Sequence, residues 1–212
     1  MKTIVVGDLH GQFEIAEAVL ERNQPVVFIG DYMDSFTRPA ADQIKTVQVV
    51  TQAVKDGNAA ALFGNHELSY MYPEMRCSGY EETKRLMFQH LDVSMLQSYV
   101  QIEGFLISHA GVSNDLLDNL GLTLGEYLEA GNFNQIGRSR GGRSAVGGLF
   151  WCDWNYDFTP VPGTNQIVGH TRGSSIRQFQ DTNNWCIDCL EDDPHPKVVE
   201  IEDGKLNVLE LW

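Results

Sequence analysis

Positive charge is in short supply in this chain: 15 lysines and arginines stand against 29 aspartates and glutamates, a formal net charge of −14. Binding to nucleic acid draws on basic surface that displaces counterions from phosphates, so no nucleic-acid partner is expected. Any anion the protein handles must be attracted locally, by bound metal ions or by a small arginine cluster. Long apolar runs are missing as well. None approaches the roughly 20 residues that span a bilayer, which argues against a membrane partner. The first residues, Met1 to Asp8, read as a buried strand rather than as a charged and then apolar leader. A cytoplasmic protein is the expectation. Cysteine is sparse, and Cys77, Cys152, Cys186 and Cys189 are too irregularly placed for a disulfide framework. Cys186-Ile187-Asp188-Cys189 has the spacing of a redox pair or half a zinc site. No second pair accompanies it, and Trp185 and Ile187 point to a strand, so all four are read as packed thiols.

What is present is enough for one α/β domain over residues 1–212, since 42% of the residues are hydrophobic and no repeat or linker interrupts them. Short apolar runs alternate with helical segments through the first two-thirds, the pattern of βα units feeding a parallel sheet. The expected order is strand 3–6, helix 13–22, strand 25–29, helix 40–55 and strand 59–63. A helix over about 81–99 and a strand over 105–108 follow. Residues 137–148, rich in glycine and arginine, read as a loop. The last part is β-like, with strands at 166–169, 185–190, 197–202 and 206–211, and Glu202-Asp203-Gly204-Lys205 as a hairpin turn. Helices early and strands late suggest two packed sheets with helices outside.

Five apolar strand candidates end in a residue able to bind a metal: Asp8, Asp31, Asn65, His109 and His170. Ligands bind outside the carboxyl ends of the strands in open α/β sheets, so these side chains are expected to converge on one crevice. Glycine precedes four of them and lets the backbone turn sharply and approach closely. His10, two positions beyond Asp8, can reach the same ion. Carboxylate, amide and imidazole donors together suit manganese, iron or zinc better than calcium. Six ligands exceed the needs of one four-coordinate ion with an open position, whereas two ions sharing a carboxylate use them all. Any one of these residues alone would more often be a cap or a satisfied polar group. His90 and His195 lack such a context and are read as surface or packing residues.

Gly7-Asp8-Leu9-His10-Gly11, Gly30-Asp31-Tyr32-Met33-Asp34, Gly64-Asn65-His66-Glu67 and His109-Ala110-Gly111 resemble the signature blocks of the phosphoprotein-phosphatase branch of the calcineurin-like metallophosphoesterases. Ile167-Val168-Gly169-His170-Thr171-Arg172 is similar to the final histidine block of bacterial members, and the chain length resembles the compact bacterial and phage ones. The resemblance implies an α/β/β/α sandwich of two mixed sheets flanked by helices. It also implies two divalent metal ions, manganese first and iron or zinc as alternatives, with a shared hydroxide as nucleophile. Asp8, His10 and Asp31 would hold one ion, and Asp31, Asn65, His109 and His170 the other. His66 would be the general acid and Asp34 its orienting partner, with Asn65 also facing the substrate. The implied reaction is hydrolysis of a phosphomonoester, on a phosphorylated protein at serine or threonine or on a small phosphoester. Two rivals are hydrolysis of dinucleoside polyphosphates and a metal-bound scaffold without catalysis. Leu149-Phe150-Trp151-Cys152-Asp153-Trp154 resembles the family's segment near the substrate, its aromatics serving equally as core or as substrate wall. One departure stands out. The family's phosphate-binding arginine would follow Asp34, where this chain has Ser35-Phe36. Arg38, Arg140 and Arg143 are the candidates to replace it.

Overall fold

The structure, a computed structural model, describes residues 2–89, 91–191 and 193–212. In chain order it forms β1 (Thr3–Val6), α1 (Phe13–Leu20), β2 (Val26–Phe28), α2 (Ala40–Lys55), β3 (Ala59–Ala61), α3 (Asn65–Met71), α4 (Glu82–Phe88), β4 (Tyr99–Ile102) and β5 (Phe105–Ser108). These are followed by α5 (Asn114–Leu120), α6 (Leu124–Ala130), β6 (Asn165–Val168), β7 (Arg177–Gln178), β8 (Trp185–Cys186), β9 (Lys197–Glu202) and β10 (Lys205–Glu210). They build two mixed five-stranded sheets, in the orders β10-β9-β1-β2-β3 and β4-β5-β6-β8-β7. In the first sheet β1, β2 and β3 are parallel, with Val6 opposite Phe28 and Phe28 opposite Ala61. In the second β5, β6 and β8 are parallel, with Val168 opposite Cys186.

Alternation along β1 sets the layers, because successive side chains of a strand point to opposite faces. Ile4 and Val6 pack with Phe28 against Ile15, Ala16 and Val19 of α1 and Val47 and Val50 of α2. Val5 faces the other way, into an inter-sheet core with Val27, Ile29, Phe105, Ile107 and Ile167. A third cluster joins Leu106 to Leu116 and Leu117 of α5 and Tyr127 of α6, with Leu149, Phe150 and Trp151. The result is the expected helix, sheet, sheet, helix order. Each fully buried Val, Leu, Ile or Phe contributes about 1.5–3 kcal/mol, so these layers rather than the short helices themselves stabilise the fold.

Several elements differ from the sequence expectation. The helix expected over 81–99 ends at Phe88. Downstream the Asp92 carboxylate accepts from both the backbone N–H and the hydroxyl of Ser94, a turn that competes with helix, and Tyr99 opens β4. His90 lies outside the described residues. The strand expected over 185–190 stops at Cys186. Helices α3, α5 and α6 were not expected, although Thr123 and Glu126 form a capping box at the start of α6. The final hairpin forms as expected, with positive φ at both Asp203 and Gly204.

Candidate active site

The parallel strands of both sheets deliver their carboxyl ends to one cavity of about 890 Å3, lined by His10, Asp31, Asn65, His66, Trp151 and His170 among others. Asp8 and His109 lie beneath it, 1% and 0% exposed. The approach is close enough that side chains are excluded: a β-carbon on Gly64 would overlap the Asp31 carboxylate, and one on Gly169 the Asp8 carboxylate. His10, Asp31, Asp34 and His170 all have positive φ, half of the eight non-glycine residues that do so among the described residues. Backbone strain of this kind collects where surrounding contacts over-determine a site.

The donor atoms form two groups around Asp31. One contains His10, Asp31 and His66, the other Asp31, His109 and His170. Asp31 Oδ2 lies 3.4 Å from His109 Nε2 and 3.9 Å from His10 Nε2. Asn65 Oδ1 sits 2.9 Å from His109 Nε2 and 2.8 Å from His170 Nδ1. The other ring nitrogens are tied back, His10 Nδ1 to Met33 O at 2.8 Å and His109 Nδ1 to Ile29 O at 3.0 Å. Such bonds place the proton on Nδ1 and leave Nε2 as a lone-pair donor, the arrangement metal-ligating histidines use. His170 Nε2 is buried with no hydrogen-bond partner among the described residues.

Electrostatics point the same way. Burial pushes His10 and His109 down to about 3 and His170 well below the usual imidazole range, so all three are neutral donors. Burial pushes Asp31 up to about 7, and burial with the charges of Asp188 and Asp31 pushes Asp8 well above its usual range. Several buried carboxylates among neutral imidazoles form a site short of positive charge, and divalent cations supply it. The donor set around Asp31 therefore fits divalent metal.

His66 differs from the other imidazoles. Burial opposes its protonation, but the carboxylates of Asp31 and Asp34 outweigh burial and hold it well above the imidazole range. Its Nδ1 is 3.0 Å from Asp34 Oδ2 and 3.4 Å from Cys77 Sγ. Asp34 is fixed in turn by the Tyr70 hydroxyl and by Lys84 Nζ at 3.4 Å. Glu67 was quoted in the motif without a role. Its buried carboxylate accepts from the backbone N–H groups of Asp31, Tyr32 and Gly64 at 2.8–2.9 Å and so ties the turns after β2 and β3 together.

Of the three candidate arginines, Arg140 and Arg143 line the cavity and Arg38 does not. Arg140 Nε lies 2.9 Å from the buried Asp153 carboxylate, close without hydrogen-bond alignment, and its Nη2 donates to Thr171 Oγ1 at 2.9 Å. Arg38 pairs instead with Glu14 at 2.8 Å and Asp42 at 3.7 Å, on the face of α1 and α2. Arg76, Arg172 and Asp188, for which no site role was expected, also line the cavity, as does Cys77, which is not the packed thiol expected but half-buried beside His66. His195 lies away from it, its ring facing Glu210. The four cysteines are free thiols.

A model of the calcineurin-like phosphoesterase family matches residues 1–197. No curated protein matches the sequence. Among solved structures, a cold-active protein tyrosine phosphatase superposes with a TM-score of 0.64 at 17% identity, covering 98% of this chain and 78% of that one. The cold-active protein-tyrosine phosphatase of a psychrophilic Shewanella gives 0.59 at 15% identity, covering 98% and 80%. A protein provisionally described as a diadenosine tetraphosphatase gives 0.51 at 14% identity, covering 100% and 94%. At such identities the likeness is one of fold.

Proposed function

Because this chain belongs to the calcineurin-like phosphoesterase family, we propose that it is a binuclear, metal-dependent phosphomonoesterase acting on phosphoserine or phosphothreonine in proteins, with residues 1–212 as one catalytic domain. The observation that carries the reading is the Asp31 carboxylate within 3.9 Å of His10 Nε2 on one side and 3.4 Å of His109 Nε2 on the other, with His66, held by Asp34, kept for the proton rather than for a metal. Asp8, His10 and Asp31 would hold one ion, and Asp31, Asn65, His109 and His170 the other. Manganese is the first candidate, with iron or zinc as alternatives. Bound there, the ions supply an activated water and neutralise the phosphoryl oxygens during in-line displacement.

The chain's own residues do the rest. Protonated His66 directs Nδ1–H at Asp34 and carries a second proton on Nε2, to be given to the leaving oxygen. Tyr70 and Lys84 hold Asp34 and so hold the ring. Arg140, braced by Asp153 and Thr171, offers a planar two-pronged donor that fixes rotation of the phosphoryl group, and Arg143 is its neighbour on the same rim. The intact acid and its support speak against a scaffold without catalysis.

A second reading has its own support. Arg76, Arg140, Arg143 and Arg172 all stand at the cavity, four guanidiniums that could reach successive phosphates of a polyphosphate on an otherwise acidic protein. The test is kcat/KM on phosphoserine, phosphothreonine and phosphotyrosine peptides and on diadenosine tetraphosphate, in manganese and in chelator. The proposal expects the phosphoserine or phosphothreonine peptide to rank first. Diadenosine tetraphosphate ranking first would transfer the assignment to the second reading, phosphotyrosine first would change the residue acted on, and no turnover on any of them would leave the scaffold.

A further inference from the structure

Asp188 belongs to none of the ligand sets above, yet its place in the fold matches theirs. In the parallel pair β6 and β8, Val168 is opposite Cys186. His170 lies two residues beyond Val168 and Asp188 two residues beyond Cys186, so the two leave adjacent strand ends at the same level. The Ile187 N–H continues the ladder by donating to Val168 O at 2.8 Å. From the other sheet, β1 arrives at the same spot: a β-carbon on Gly7 would lie 2.5 Å from Ile187 O and 3.6 Å from Asp188 Cα. Only glycine before Asp8 permits that approach, and it sets Asp188 beside Asp8.

The Asp188 side chain is 4% exposed and lines the cavity with His10, Asp31 and His170. The guanidiniums of Arg177, Arg172 and Arg140 offset part of its burial through their fields while they bond to other groups. Arg177 donates to Thr171 O and to Cys186 Sγ, Arg172 pairs with Glu191 at 2.7 Å, and Arg140 pairs with Asp153. The Asp188 charge bears on the buried carboxylates of both Asp8 and Asp31, and a cation shared among the three would offset that repulsion. The Asp8–His10 side is where a further ligand is wanted: apart from the shared Asp31 it has two protein donors, against three for the other ion.

We propose that Asp188 is a further carboxylate of the metal centre, serving the ion held by Asp8 and His10 and raising its affinity there. This rests on the binuclear reading above. The inference concerns affinity rather than turnover, so its test is manganese binding by calorimetry together with the melting temperature of the metal-free protein, for wild type, Asp188→Asn and Asp188→Ser.

Wild type is expected to bind two ions. Both variants should weaken one of them about 10–100-fold, the range for losing a supporting carboxylate, and leave the other unchanged. Without metal both should melt at or above the wild-type temperature, because a repelling charge has been removed. In a His10→Asn background, where that ion is already lost, Asp188→Asn should change nothing further. Two ions bound with wild-type affinities in both variants would overturn the inference while leaving the binuclear reading intact. So would a lower metal-free melting temperature with metal loss in proportion, the mark of a structural role. A wild type that binds no metal would instead sink the binuclear reading, and this inference with it.

Discussion

Arg38 and Arg140 show how a single side chain's company decides its use. Ser35 replaces the arginine that the family resemblance leads one to expect, and its hydroxyl accepts from the backbone N–H groups of Thr37 and Arg38 at 3.2 and 3.0 Å. That tight turn carries Arg38 onto Glu14 and Asp42, away from the cavity. Arg140 is braced at the rim instead. Arg140→Ala should therefore cost about 2–4 kcal/mol in kcat/KM, as for a charged donor lost from a desolvated site. Lysine should restore only part of it. Arg38→Ala breaks a surface pair worth about 0–1 kcal/mol and should leave kcat/KM near wild type. Steady-state kinetics on one phosphopeptide checks both, and equal losses at the two positions would contradict this division. Sequence proximity made Arg38 a candidate; the Ser35 turn that redirects it is a hydrogen-bonding choice that composition does not reveal.

Among the elements, α3 does more than its seven residues suggest. It begins at Asn65, carries His66, and uses Glu67 to hold the turns that present Asp31 and Gly64. Glu67→Gln would set an amide N–H against backbone donors in a buried place. Denaturant unfolding of the metal-free protein should show a loss of about 1–3 kcal/mol; unchanged stability would mean that the turns hold without the clamp. The elements most legible in sequence were those with strong periodicity and clear ends: α2, β5 and β9 match the expected residues. Elements without a clear apolar run fared worse. The β8 strand covers only Trp185–Cys186, although the Ile187 N–H still donates to Val168 O and Asp188 reaches the cavity, and the pair of cysteines there drew attention from Asp188. The signal that found Asp8 and Asp31, an apolar strand ending in a carboxylate, was present at Asp188 too.

For the whole molecule, an acidic protein has gathered carboxylates and neutral imidazoles between two sheets, and this fixes how metal binding responds to pH. The imidazoles of His10 and His109 lose their protons near pH 3, so above that they bind metal without releasing any. Asp31, raised to about 7, must give up its proton when a cation arrives. Asp8 is raised as well, so metal affinity should fall as pH drops below about 7, with more protons released at pH 6 than at pH 8. Stability of the metal-free fold follows opposing contributions. The raised carboxylates stabilise at low pH and lose that contribution as pH rises from about 4 to 7. The lowered histidines disfavour the fold below about 6.5 and recover across about 3 to 6.5. Calorimetry in buffers of different ionisation enthalpy counts the protons directly, and equal release at pH 6 and pH 8 would contradict the assignment of Asp31 as the titrating ligand. The two-sheet architecture was legible because strand periodicity is repeated many times. How the strand ends face one another was legible only through the glycine-plus-ligand pattern.

If Asp31 joins two metal ions into one hydrolytic centre, as proposed, turnover must track manganese stoichiometry. Protein stripped by chelation is returned stepwise to manganese while phosphate release from a phosphoserine peptide is followed. Release should be absent at the start and rise to a plateau at about two equivalents. Turnover that persists in the chelator, or that saturates at a single equivalent, would contradict it.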